Sequence, residues 1–151
     1  MVKLVDITVD NFMEARRLKV KDHQRAFVDS ASGILSRGYA YKDHRPQVFM
    51  IQKDQTPVGL CFVKDLDEEP ACYDLQEFMI DGNHQGRGYG LQALKLVIDH
   101  LGLEKKYDRI DLCVSRQAQD AIGLYEKAGF KDNGYVDPDM PDFMNMTYTF
   151  E

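Results

Sequence analysis

The sequence predicts a mixed α/β chain of the α+β type, with a central, mostly antiparallel sheet of about six to seven strands flanked by four helices. Three observations carry this. Short apolar or alternating runs recur between clusters of turn residues, and several are joined by connections too short for a parallel crossover. Two longer stretches, 88–103 and 121–128, place apolar residues at helical spacing. Between these patterns lies Ile80-Asp81-Gly82-Asn83-His84-Gln85-Gly86-Arg87-Gly88-Tyr89-Gly90, where a strand-like run passes through a glycine-rich turn straight into an amphipathic helix.

Taken in order, Lys3 to Val9 alternates as a strand, and Asp10-Asn11 offers a cap to a helix carrying Phe12, Met13, Ala15 and Leu18. A second helical stretch is expected from Asp22 to about Ser36, broken at Gly38. Val48 to Gln52 and Val58 to Lys64 read as a hairpin around Asp54-Gln55-Thr56-Pro57, and the acidic turn Asp65 to Pro70 leads to the next strand. In that strand, Tyr73 to Ile80, the apolar positions change parity: Tyr73 and Leu75 alternate, then Phe78 and Ile80 alternate one residue out of step. A β-bulge near Gln76-Glu77 reconciles the halves and bends the strand away from its neighbour. Helix three is expected from Gly88 to Leu103, with Leu91, Leu94, Val97, Ile98 and Leu101 facing the core. Arg109 to Ser115 is a strand, Ala121 to Ala128 a helix capped by Gly129, and Phe130–Val136 and Phe143–Phe150 a closing pair. With no repeat or change of composition, residues 1–151 are expected to form a single domain.

The glycine turn predicts an anion cradle. Gly86, Gly88 and Gly90 let backbone approach a ligand, and the unpaired N–H groups of a helix's first turn, with about half a positive charge from its macrodipole, favour a phosphate there. A Walker loop needs a Gly-Lys-Ser/Thr ending, which is absent, and a dinucleotide fingerprint from Gly86 needs glycine where Leu91 stands. The spacing Q-x-x-G-x-G of Gln85, Gly88 and Gly90 fits a third pattern. Here the chain resembles the GNAT superfamily of acetyl-CoA-dependent N-acetyltransferases. Leu75-x-x-Phe78-x-Ile80 is similar to that family's fourth strand, Leu112-x-Val114 to its fifth, and Ala121-Ile122-x-Leu124-Tyr125-x-x-x-Gly129-Phe130 to its closing helix and turn. These motifs run in order over roughly residues 72 to 130 at ordinary loop spacings. Ala118 departs from the pattern, standing where the family usually has an asparagine.

The resemblance implies a GNAT-like sheet splayed between strands four and five, acetyl-CoA as co-substrate, and a pantetheine slot along Phe78, Met79 and Ile80. It implies cofactor binding by Gln85, Gly86, Arg87, Gly88, Tyr89 and Gly90. It also implies Tyr125 as the acid that protonates the leaving thiolate, its rival role being core packing. Direct attack by an amine needs a base, an oxyanion donor and an acid. Glu77 at the bulge is the candidate base, against a role as an exposed strand carboxylate, and the Met79 N–H is the candidate oxyanion donor. Asp74 is expected to share the base's task or attract a cationic substrate, with Gln24 and Glu77 as further substrate contacts. The stretch Val20-x-x-x-Gln24-x-x-Phe27-Val28, with Tyr39 and Tyr41, is similar to small bacterial spermine, spermidine and diamine acetyltransferases. This implies a polyamine acceptor. Another small amine, a peptide N-terminus, or a CoA-binding regulatory module without catalysis stand as alternatives, and in this family the final strands commonly support a homodimer.

Composition bounds the partners. A formal net charge of −6 argues against nucleic acid and is compatible with a cationic substrate or with solubility alone. No apolar run is long enough for a bilayer. Cys61, Cys72 and Cys113 are expected as buried free thiols in a reducing compartment, and without a leader-like N-terminus this reads as a cytoplasmic chain. His23 and His84 lack metal-site spacing, so no metal is expected.

Overall fold

Strands β1 (Val2–Asp6), β2 (Gln47–Lys53), β3 (Thr56–Leu66), β4 (Cys72–Ile80), β5 (Arg109–Ser115), β6 (Lys131–Asp132) and β7 (Phe143–Thr149) form one sheet in a computed structural model that describes all 151 residues. The strand order is β1-β2-β3-β4-β5-β7-β6. Every neighbouring pair is antiparallel except β4 with β5. The helices are α1 (Phe12–Arg16), α2 (Ala31–Ala40), α3 (Tyr89–Glu104) and α4 (Gln119–Ala128). The mixed, mostly antiparallel architecture with four helices is the one the sequence predicts.

Strand alternation divides the core between two faces. On one face Leu94, Val97, Ile98 and Leu101 of α3, with Ile122 and Tyr125 of α4, pack on Tyr73, Leu75, Ile110, Leu112, Val114 and Met146. On the other, Ala15, Leu18, Ala31 and Ile34 cover Met50, Leu60, Phe62 and Met79. The fully buried Tyr73 is satisfied at its tip, donating to the Leu101 carbonyl and accepting from the Lys106 N–H, both at 3.1 Å. It thereby pins the C-terminal end of α3 to β4.

The expected bulge is present. Phe62 pairs with Glu77 but Val63 with Leu75, so Gln76 has no partner on β3. The splay is also present: β4 and β5 pair only at Tyr73 with Ile110 and Asp74 with Asp111. Beyond that point the strands diverge, leaving the far edge of β4 free up to the glycine turn.

Several expectations are corrected. The second helical stretch is not one helix: a short 3-10 turn spans Asp22–Gln24, and α2 starts only at Ala31, where the Ser30 hydroxyl accepts from the Gly33 N–H at 3.0 Å. Gly38 does not break α2. A Cβ there would lie 3.0 Å from Val48 Cγ2, so glycine lets the helix approach β2. The first strand stops at Asp6 because Asn11 Oδ1 takes the Thr8 N–H at 2.8 Å, turning the chain locally. The strand expected over Phe130–Val136 shrinks to Lys131–Asp132, since Gly134 (φ 81) and Tyr135 donate to the side chains of Asp132 and Asn133. Leu91 is half-buried and Ala93 takes the core position. Cys113 is exposed, whereas Cys61 and Cys72 are buried. No helix is long and apolar enough to cross a membrane.

Candidate active site

The divergence of β4 from β5 opens a cleft of about 680 Å³, floored by Leu75–Ile80 and walled by the glycine turn, α4, Phe27 and Val28. At its α3 end Gly86 and Gly88 hold φ of 79° and 82°, left-handed values that cost other L-residues about 1–2 kcal/mol. The turn can thus enter α3 with its N–H groups facing outward. No side chain caps α3, and its first bond is the Gln92 N–H to the Gly88 carbonyl at 3.2 Å, so the preceding amides have no helical acceptor. A Cβ at Gly86 would meet nothing within 4 Å. This open, donor-rich turn with a helix dipole behind it fits a pyrophosphate. Gly90 differs: its Cβ would lie 3.3 Å from Leu124 and 3.5 Å from Ile80, so it brings α3 close to α4 and β4.

Gln85 holds the turn in place. Its Nε2 donates to the Ile80 carbonyl at 2.9 Å, and its amide pairs reciprocally with that of Gln24 at 2.8 and 3.0 Å. Gln24 Oε1 also accepts the Lys21 N–H at 3.1 Å. Both lie on the cleft wall, and the Gln24 amide bonds to the glycine turn through Gln85. Tyr89 lines the cleft, as do Gln85, Gly86, Gly88 and Gly90, whereas Arg87 lies outside it and is exposed.

Ladder phase decides which β4 amides face the cleft. The Asp81 N–H donates to the Val58 carbonyl at 2.7 Å, placing that pair in hydrogen-bonded register; two residues back, Met79 opposite Leu60 has the same phase. The Met79 N–H consequently points at β3. Its side chain is buried against Leu60. The intervening residues Phe78 and Ile80 turn their backbone groups toward the splay, in keeping with the Ile80 carbonyl accepting from Gln85. The Met79 N–H is thus turned away from the cleft, contrary to expectation, and the neighbouring amide that faces it is that of Phe78.

Glu77 and Tyr125 both line the cleft. Glu77 lies on the α2 side, its side chain 11% exposed and 3.3 Å from Arg37 Nη2. Burial raises its pKa above the ordinary carboxylate value; Arg37 and a backbone N–H bond from Asp29 oppose this, and the Asp29 charge, the smallest effect, reinforces it. Tyr125 is buried on α4 with its ring edge-on to Phe130 at 5.8 Å. Burial, and after it the charge of Glu77, pushes its phenol above the usual value, so it keeps its proton. Asp74 does not line the cleft. It sits where β4 and β5 are still paired, 3.0 Å from Lys64, and burial raises its pKa. Ala118 stands at the N-terminus of α4 without offering a side-chain cap and is buried at the cleft wall.

Arg37 and Asp29 were not legible as site residues, because each contacts the site only through tertiary structure. No three His, Cys, Asp or Glu side chains gather into a metal-binding group.

The acetyltransferase (GNAT) family model matches residues 5–130. The probable spermine N(1)-acetyltransferase of Bacillus subtilis subsp. natto (strain BEST195) is 29% identical over 139 residues, covering 90% of this chain and 91% of that protein. The spermine/spermidine N(1)-acetyltransferase of Bacillus subtilis (strain 168) matches with the same identity and coverage. Among solved structures, the spermidine N-acetyltransferase from Vibrio cholerae in complex with CoA and spermine superposes with a TM-score of 0.77 at 16% identity, covering 98% of this chain and 95% of that one. An aminoglycoside acetyltransferase AAC(6')-Ib in complex with coenzyme A gives 0.79 at 17% identity, covering 99% and 95%. At those identities the structural likeness is one of fold.

Proposed function

This chain belongs to the acetyltransferase (GNAT) family, and from that premise we propose that residues 1–151 form one catalytic domain that acetylates a primary amine of a polyamine such as spermine or spermidine. The enzyme is an acetyl-CoA-dependent N-acetyltransferase. The observation that carries the reading is the splayed cleft itself, with the donor-rich turn at one end and Glu77 and Tyr125 along it.

In this reading the turn from Gln85 to Gly90 holds the pyrophosphate, and the free edge of β4 at Phe78 and Ile80 pairs with the pantetheine amides. Glu77 takes a proton from the substrate ammonium, directly or through one water. The amine lone pair then forms the new C–N bond at the thioester carbonyl, whose oxygen gathers charge facing the Phe78 N–H. As the C–S bond breaks, the electron pair leaves on sulfur and the Tyr125 phenol supplies its proton; the acetylated nitrogen sheds its surplus proton to solvent as the amide forms, and proton exchange with solvent restores the phenol and the Glu77 carboxylate. No enzyme nucleophile is required. Cys113, exposed to solvent on one side, also lines the cleft; partial desolvation there, and after it the charges of Asp74 and Asp137, push its thiol up and keep thiolate scarce.

Two features support a cationic acceptor with an aliphatic body. Glu77 and Asp29 share the single cation Arg37, which leaves one negative charge in excess, and Phe27 and Val28 offer an apolar wall beside it. The curated relatives bear the names of spermine acetyltransferases. A second reading, a shorter amine or a peptide N-terminus, draws on a different observation: Asp74 is matched by Lys64 and Asp111 by Arg109, so neither carries unpaired charge for a distal ammonium. Thiol release from acetyl-CoA, followed across spermine, spermidine, diamines, amino acids, aminoglycosides and peptide N-termini, tests the reading. Acceleration by spermine or spermidine at the lowest KM is expected, whereas acceleration only by short amines or peptides would replace it with the second reading.

A further inference from the structure

Arg37 belongs to none of the motifs that identify the cleft, yet its guanidinium is the most connected group on the acceptor side. Its Nε and Nη2 donate to Asp29 Oδ2 at 3.3 and 3.1 Å, its Nη1 donates to Gln76 Oε1, and its Nη2 lies 3.3 Å from Glu77 Oε1. Gln76 and Glu77 are consecutive residues. In a regular strand consecutive side chains point to opposite faces, so one side chain could not grip both; the bulge at Gln76 brings the two onto the α2 face. Arg37 therefore clamps the irregular part of β4 to α2 and, through Asp29, to the segment that leads into α2.

We propose that Arg37 is a positioning residue for Glu77: by gripping Asp29, Gln76 and Glu77 together, it fixes the carboxylate beside the cleft and keeps it ionised there. The proposal rests on the reading of Glu77 as the base. The charged or titratable groups facing Glu77 are Arg37 on α2, Asp29 ahead of α2 and Tyr125 on α4. Burial favours the protonated acid, whereas Arg37 and then the Asp29 backbone N–H favour the carboxylate, the Asp29 charge acting last and in the other direction. Removing Arg37 takes away the largest effect that favours the carboxylate and leaves burial dominant, so the Glu77 titration must rise. A planar fork suits this task better than an ammonium, which is a compact point charge and cannot hold three acceptors in one plane.

The test compares wild type, Arg37→Gln, Arg37→Lys, Glu77→Gln and the double variant Arg37→Gln/Glu77→Gln. It records pH profiles of kcat and kcat/KM at saturating acetyl-CoA, with 13C-carboxyl NMR following the titration of Glu77 itself. Arg37→Gln is expected to move the titration and the acid limb upward by about one pH unit, lowering kcat about tenfold on that limb. Arg37→Lys, which keeps the charge, is expected to move the limb by less than about half a unit while still lowering kcat. In the Glu77→Gln background the Arg37 change should add no further pH shift. If Glu77→Gln is impaired but Arg37→Gln, folded as judged by thermal melting, leaves titration and acid limb in place, Arg37 has only a structural role and the proposal is overturned. Full turnover in Glu77→Gln instead removes the base reading, and the proposal goes with it.

Discussion

Tyr125→Phe separates catalysis from packing because the structure assigns the two parts of the side chain different surroundings. The ring is held in the larger core, 5.8 Å from Phe130, and the residue is only 8% exposed. The only fully enclosed side-chain polar atom without a hydrogen-bond partner is Arg109 Nε, so the Tyr125 hydroxyl opens onto the cleft. Deleting that oxygen leaves the ring contacts intact and strands no partner, so folding stability should change by less than about 1 kcal/mol. Loss of a general acid should lower kcat by about 10- to 1000-fold, which corresponds to about 1.4 to 4 kcal/mol of barrier. CoA affinity should hold, since the turn is untouched. Because burial and the Glu77 charge raise the phenol above its ordinary value, the wild-type rate should show no basic limb from Tyr125 below about pH 10. Steady-state turnover at saturating substrates, calorimetry with CoA and thermal unfolding measure the three quantities separately. Wild-type kcat in a folded variant would refute the reasoning and return Tyr125 to the core alone.

Three further outcomes follow from the geometry. Gly88→Val should weaken CoA binding by at least about tenfold while costing about 1–2 kcal/mol of stability, since the strain lies in its left-handed backbone; Gly90→Val should cost about 1–3 kcal/mol by crowding Leu124 and Ile80, and calorimetry with denaturant unfolding tells them apart. Gln24→Leu should weaken CoA about fivefold, from the loss of about 1 kcal/mol of support to the Gln85 amide, and equal affinity in calorimetry would show that the turn holds itself. Glu77 has a native pKa above its unfolded value, so the native state binds the proton more tightly and stability falls as pH rises through the native pKa. Glu77→Gln should therefore gain stability relative to wild type as pH rises from about 4 to 8, and an unchanging difference in melting temperature would count against burial as the dominant cause.

What the sequence revealed was local. The glycine turn into α3 is written in consecutive residues whose glycines and spacing suffice, and the bulge shows itself as a parity change between Leu75 and Phe78. Ladder phase is not local. Which β4 amides face the cleft depends on Asp81 bonding to Val58, and the apolar pattern is identical for either phase, so the turning of the Met79 N–H toward β3 left no trace in the sequence. Gln24 meets Gln85 across 61 residues, and Arg37 meets Gln76 across 39; neither pairing leaves a mark in its own neighbourhood. The same holds for Asp74, whose charge looked free until Lys64 was brought beside it. Helix ends failed where a side chain competed for backbone, as Ser30 does in starting α2 late.

The central claim is that the acetyl group passes straight from acetyl-CoA to an amine bound in the same cleft. Initial rates measured over a matrix of acetyl-CoA and spermine concentrations test it most directly, with mass spectrometry of the protein after incubation with acetyl-CoA alone. Intersecting double-reciprocal lines, unmodified protein and wild-type kinetics in Cys113→Ala are the predicted result. Parallel lines with a stoichiometric acetyl adduct that disappears in Cys113→Ala would contradict the account and make the cleft thiol the acceptor.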